Sequence, residues 1–290
     1  MQLPRIQTQS GSYLLLDLSD LHDFLDMFGL SWEADTDRKL FEQVLQLVVE
    51  HLSPLVSGLV LGPEVGFTAL NNKDAGTGLL LTLETQTELL AVNEMPRIFP
   101  NWSITHVRSN YALLFTKLFY HPHGELVLEK KRLMAELHDA CLYEQINSVL
   151  FLSLYPPDGQ PASTEAFQES QLLAAKELQG SADMLVLEYP HTALAAATLT
   201  AAIDVPWILR VPTNDYASLK QALRISLEAG AKGILLSANN IFDPHIQPPI
   251  SFTQDPEASL AQFEHYLETE ARDRVLEITR IIDENRVDEV

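Results

Sequence analysis

The sequence has little with which to crosslink, bind polyanions or cross a membrane. Among its 290 residues there is one cysteine, Cys141, which excludes a disulfide within the chain. Cys141 falls in the apolar pattern of a predicted helix and is expected to be a buried core thiol. Basic residues are scarce, 19 against 40 acidic, for a formal charge of −21. Phosphate backbones and anionic lipid are recognised mainly by lysine and arginine, so nucleic-acid and membrane-surface partners are excluded. No apolar run approaches the ~20 residues of a membrane span. The opening MQLPRIQTQSGS is polar and lacks the apolar core of a signal peptide, so the expected location is the cytoplasm. There is no glycine-rich phosphate fingerprint, G-x-S-x-G elbow, P-loop, H-E-x-x-H or paired C-x-x-C. Nucleotide-binding, serine-hydrolase and zinc readings therefore lack support, and neither a cofactor nor a metal is expected.

What is present is alternation. Eight short apolar runs read as strands: Tyr13–Asp17, Gly58–Leu61, Gly78–Leu83, Leu113–Phe119, Val149–Leu154, Met184–Glu188, Trp207–Val211 and Gly233–Ser237. Nearly continuous apolar runs suit strands covered on both faces, as in parallel sheets. Helical periodicity lies between them at Asp35–Leu55, Glu125–Ile146, Glu165–Leu178, Asp215–Ala229 and Ser259–Glu284. Thr192–Ile203 is small and apolar, as a helix packed closely on a barrel would be. This pattern predicts an α/β fold, a single (β/α)8 TIM barrel forming one domain over residues 1–290. A doubly wound open sheet is the alternative, disfavoured by the missing fingerprint. The Pro-rich segment Asn239–Pro256 follows the eighth strand and is expected over the barrel mouth.

In such a barrel the chemistry belongs at the C-terminal ends of the strands. The polar residues there are Asp17, Glu84, Lys117, Ser153, Glu188, Arg210 and Ser237. Lys117 interrupts the apolar run ALLFTKLFY, and a lysine within a parallel strand needs a partner or a cavity. Asp17 and Glu188 end apolar strands and are its expected partners. The cluster suits proton transfer or a structural ion network. His121 and His123 lack a third ligand nearby in sequence and read as a solvated turn, and His51 and His138 as helix residues.

Four stretches carry a resemblance: LGPEVGFTAL from Leu61, NNKDAGTGLLLTLE from Asn71, NWSITHVRSNYALLFTKLFYHPHGE from Asn101 and SADMLVLEYP from Ser181. They resemble, in order and spacing, the class I tagatose-1,6-bisphosphate aldolases, a lysine Schiff-base family with relatives acting on sulfofructose phosphate. The family's motifs run D-P-E-Y-G, N-A-G-L-L-L-x-Y-E, W-S before V-K-F-L-L-Y-Y, and D-V-L-K-V-E-x-P. The resemblance places Asp17 on the acid of the family's D-Q-R-G segment, whose Gln and Arg become Leu18 and Ser19. Glu84 and Lys117 match the family's glutamate and strand lysine, and Glu188 and Pro190 are retained. The fifth-strand glutamate becomes Ser153. The Schiff-base lysine falls on Val186, and no lysine occurs anywhere in Met184–Leu187. The phosphate-holding L-S-A-G turn becomes Leu209-Arg210-Val211-Pro212, and G-R-A-T becomes Ser237-Ala238-Asn239-Asn240.

A class I aldolase needs an amine to form its iminium, and valine supplies none. Pro212 also removes a backbone N–H, and Ala238 a guanidinium, from the phosphate sites. The leading expectation is a non-catalytic aldolase relative that binds or regulates. Its partner would be a protein, a second copy of itself, or a small carbonyl or sugar ligand. A carbohydrate-processing lyase of altered chemistry, with Asp17, Lys117 and Glu188 as catalytic residues and Glu84, Ser153, Arg210 and Ser237 binding substrate, stays open. So does an active aldolase with a relocated amine. Arg210 is expected to pair internally with Glu188 or Asp17.

Overall fold

A computed structural model describes residues 3–285 except 65, 86–90, 157, 158, 160, 214, 243–251, 253 and 254. Eight parallel strands close into a barrel in chain order: β1 (Tyr13–Asp17), β2 (Gly58–Leu61), β3 (Gly78–Leu81), β4 (Leu113–Tyr120), β5 (Ser148–Leu154), β6 (Met184–Glu188), β7 (Trp207–Arg210) and β8 (Gly233–Ser237). The helices are α1 (Leu21–Phe28), α2 (Asp35–Leu52), α3 (Ile104–Ser109), α4 (Val127–Glu144), α5 (Thr164–Leu178), α6 (Ala193–Ala202), α7 (Tyr216–Glu228), α8 (Ala238–Ile241), α9 (Pro256–Tyr266) and α10 (Arg272–Glu284).

Side chains alternate across each strand, so every second residue faces the barrel axis. Tyr13, Leu15, Val60, Leu80, Leu113, Phe115, Val149, Phe151, Met184, Val186, Ile208 and Leu235 form one buried inner cluster. Leu3 and Ile6, beside a 3-10 turn at Pro4–Ile6, join that cluster from the N-terminal end. The opposite strand faces meet the helices in a second, larger core. Gly233, at φ +151, leaves no room for a Cβ, which would stand 1.8 Å from the carbonyl oxygen of Tyr13. Close approach of β1 and β8, which closes the barrel, requires glycine there.

Several expectations are corrected. β3 ends at Leu81 rather than Leu83, after which Glu84 makes an isolated antiparallel bridge with Ile98. β7 ends at Arg210, where Pro212 lies two residues on. Helices α1, α3 and α8 are too short for a legible period. The closing helix is divided by a π-helical turn at Leu267–Ala271. Only Ala196 and Leu199 of α6 are buried, so its small residues mostly face outward. Of the segment expected over the mouth, Asn239–Ile241 belong to α8 and Phe252 packs on Phe28 and Phe263, while the remainder lies largely outside the described residues. Cys141 is buried as expected, and burial pushes its thiol up to about 12. No helix among the described residues is long and apolar enough to cross a membrane.

Candidate functional site

The inner cluster determines what stands above it. Two residues beyond Leu15, Phe115, Phe151, Val186, Ile208 and Leu235 come Asp17, Lys117, Ser153, Glu188, Arg210 and Ser237. The two-residue period therefore brings all six to the axis side of the C-terminal rim, a polar layer on an apolar floor. Val186 belongs to the floor: it is fully buried and registers with Phe151 of β5 and Ile208 of β7.

Lys117 faces this rim, with its ammonium 5.5 and 5.7 Å from the ring centres of Phe119 and Phe151. Its ion pair is not with Asp17 or Glu188, as expected, but with Asp20, Nζ to Oδ2 at 3.0 Å. Asp20 stands at the N-cap of α1 yet makes no capping bond, and its carboxylate instead reaches across the mouth to Lys117. Burial alone would pull the lysine's pKa down. Asp20 and Asp17 outweigh it, against opposition from Arg210, and the net direction is upward. Asp17 Oδ1 accepts from the N–H and hydroxyl of Ser19 at 2.9 and 2.6 Å. Burial raises its pKa, with Ser19 and Lys117 pulling the other way.

Glu84 is anchored rather than free. Its carboxylate accepts the N–H groups of Lys117 and Leu83, each at 3.1 Å, at the rim between β3 and β4. Burial pushes its pKa up to about 7 against those donors. Ser153 donates to Glu188 Oε1 at 2.8 Å, and burial raises Glu188 despite that bond and the nearby charge of Arg210. Arg210 donates from Nη1 to its neighbour's carbonyl, Val211 O, at 2.7 Å. Among the described residues no ion pair joins it to Glu188 or Asp17, so the expected internal pair is absent, and its Nε is buried without a partner. Ser237 has a structural role. Its N–H and hydroxyl both meet Asn240 Oδ1, while Asn240 Nδ2 donates to the carbonyls of Val211 and Thr213. The loops after β7 and β8 are thereby clamped together.

A cavity of about 470 Å³ opens beside this rim, lined among others by Glu188, Tyr189, His191, Phe167, Val211 and Gln221. The His191 ring contacts those of Phe167 and Tyr189 at 5.4 and 5.8 Å, and its backbone is left-handed, φ +65. Among the described residues no lysine or arginine lines this cavity. A larger one, about 980 Å³, lies at the N-terminal end of the barrel around Tyr13, Trp207 and Lys232, away from the polar layer. His121 and His123 form a turn packed against Ser170, and no cluster of metal-ligating side chains occurs among the described residues.

Sequence reasoning missed Asp20 and also Lys130, which reads as a helix-surface lysine. Lys130 is 1% exposed, with Nζ on the carbonyls of Val92 and Phe119 and over the Tyr155 ring. It ties the loop after β3 to β4, and burial lowers its pKa.

This architecture is shared. An archaeal fructose 1,6-bisphosphate aldolase superposes with a TM-score of 0.64 at 17% identity, over 96% of each chain. A second archaeal fructose-1,6-bisphosphate aldolase, whose catalytic lysine carries a carbinolamine intermediate, superposes at 0.65 with 15% identity and the same coverage. No family model matches the chain. Fold and polar rim define an aldolase-like TIM barrel. The sequence is similar to tagatose 1,6-diphosphate aldolase 2 of Enterococcus faecalis, 23% identical over 261 residues, 79% of this chain and 78% of that one. Tagatose 1,6-diphosphate aldolases of two Staphylococcus species are similar at 24–26% identity over 54–66% of this chain.

Proposed function

We propose that this protein is a non-catalytic member of its lineage, a binding or regulatory barrel in which Val186 stands where the Schiff-base lysine would be. The observation that supports this most directly is the state of Lys117, the only lysine on the polar rim among the described residues. Iminium formation needs a free amine. Lys117 is an ammonium held 3.0 Å from Asp20, its pKa raised by the two aspartates. A nearby cation lowers that pKa; Arg210 pulls in that direction, but the aspartates outweigh it, and Val186 adds no second cation. The cavity at Glu188, walled by the rings of Phe167, Tyr189 and His191 and lined by no lysine or arginine among the described residues, suits an uncharged carbonyl or sugar ligand better than a phosphate.

Borohydride trapping with dihydroxyacetone phosphate, read by intact mass, tests the proposal. No adduct is expected, and no triose phosphate release from tagatose bisphosphate in a coupled assay. A stoichiometric adduct mapped to Lys117 would overturn the reading in favour of a relocated-amine aldolase.

One observation favours a second reading, a lyase of altered chemistry. Glu84 has a pKa of about 7, the range of a working general acid or base, and its carboxylate touches the Lys117 backbone. Carbonyl-substrate turnover with a limb near pH 7, abolished in Glu84→Gln, would establish it.

A further inference from the structure

Helix α4 exposes apolar residues that packing on a barrel does not need. Its inner face is ordinary, with Met134 and Cys141 buried and Leu133 and Leu137 partly so. Its outer face carries Leu128 at 77% exposure, Leu142 at 55% and Tyr143 at 87%. Clustered apolar exposure of this kind marks interaction surfaces. Leu126, immediately before the helix, extends the patch from a left-handed backbone conformation, φ +55, which is uncommon outside glycine and asparagine.

The spacing of the stripe says what covers it. Leu128, Arg132, Ala135, Asp139 and Leu142 are separated by four, three, four and three residues, which aligns them along one side of the helix. The order is symmetric about Ala135, with a leucine seven residues to either side and opposite charges between. An antiparallel copy of the same helix, related by a twofold axis through Ala135, sets Leu128 against Leu142 of the second copy. Arg132 then stands beside Asp139 of the second copy, offset by one residue's rise of about 1.5 Å. The small Ala135 side chains meet where the helices approach most closely. Each contact off the axis occurs twice, as an isologous interface requires.

We infer that the outward face of α4 is a self-association surface, covered by α4 of a second copy of this chain in antiparallel orientation. Charge favours that occupant. Arg132 bonds Glu136 of its own helix through Nε at 2.7 Å, which leaves both terminal amino groups of the guanidinium for another carboxylate. Asp139 has no ion pair among the described residues. Each copy offers one cation and one anion at matching heights, a pairing that a uniformly basic partner does not use.

Sedimentation equilibrium of the full chain, from about 1 to about 100 µM, tests this. A monomer–dimer equilibrium is expected, weakened about tenfold or more by Leu142→Glu. Arg132→Glu and Asp139→Arg, each alone, place like charges together and weaken it too. The double exchange restores opposite charges and recovers the dimer. Circular dichroism and urea unfolding show that each variant folds. A wild-type chain still monomeric at about 100 µM, or a dimer indifferent to Leu142→Glu, overturns the inference. Failure of the double exchange to restore association overturns the antiparallel register.

Discussion

Replacing Glu84 by glutamine should change how stability responds to pH in a calculable way. In the unfolded chain this carboxyl has its ordinary pKa of 4.5, whereas in the fold burial holds it near 7. The folded state therefore binds the proton more tightly. No penalty applies below about pH 4.5, stability falls as pH rises through the interval, and the full penalty is present above about 7. At about 1.4 kcal/mol for each pH unit the cost reaches about 3 kcal/mol, an upper figure because the side chain is partly exposed. Glutamine carries no charge but keeps one acceptor oxygen for the N–H groups of Lys117 and Leu83, so it forfeits about 1 kcal/mol at all pH values. Asp17 and Glu188 are raised as well, but both persist in the variant and cancel in the comparison. The assay is urea unfolding of both proteins from about pH 5.5 to about 8.5. The wild type should lose about 2 kcal/mol more than Glu84→Gln across that range. Parallel curves, within about 0.5 kcal/mol, would refute the claim that this carboxyl is buried against its charge.

Val186→Lys puts an ammonium among Phe151 and Ile208 with no partner, and should lower unfolding stability by about 3–5 kcal/mol. If the variant is as stable as wild type by urea unfolding, the floor of the barrel is not the dry layer described. Millimolar phosphate should move the thermal midpoint by less than about 1 °C, since neither Arg210 nor any lysine is among the described residues lining the Glu188 cavity. A rise of several degrees that disappears in Arg210→Ala would reveal a surviving anion site.

Much of the rim was legible in advance because Asp17, Lys117, Ser153, Glu188 and Arg210 lie toward the C-terminal ends of apolar strand runs, where the chemistry of such a barrel belongs. That they share the axis side became visible only with the inner cluster of Leu15, Phe115, Phe151, Val186 and Ile208 beneath them. Partners were harder to read than positions. Asp20 precedes a helix too short to be read from the sequence, and nothing local shows that its carboxylate pairs with a lysine 97 residues away. Ser237 was legible as a rim residue, but its bonds to Asn240, which join the loops after β7 and β8, were not. Lys130 lies among the charged residues of α4, yet it is buried, with Nζ on the carbonyls of Val92 and Phe119.

The sequence by itself determined the barrel, the polar residues at the C-terminal ends of its strands, the acidic composition and the absence of lysine from β6. These depend on composition and on short periods, which act between neighbours along the chain. Tertiary structure alone decided that Lys117 pairs with Asp20, that Arg210 is left unpaired by Glu188 and Asp17, that Glu84 is held near neutrality, and that the apolar residues of α4 face outward. Charge pairing and desolvation depend on distances of a few ångströms between residues remote in sequence, and those distances exist only once the barrel has closed.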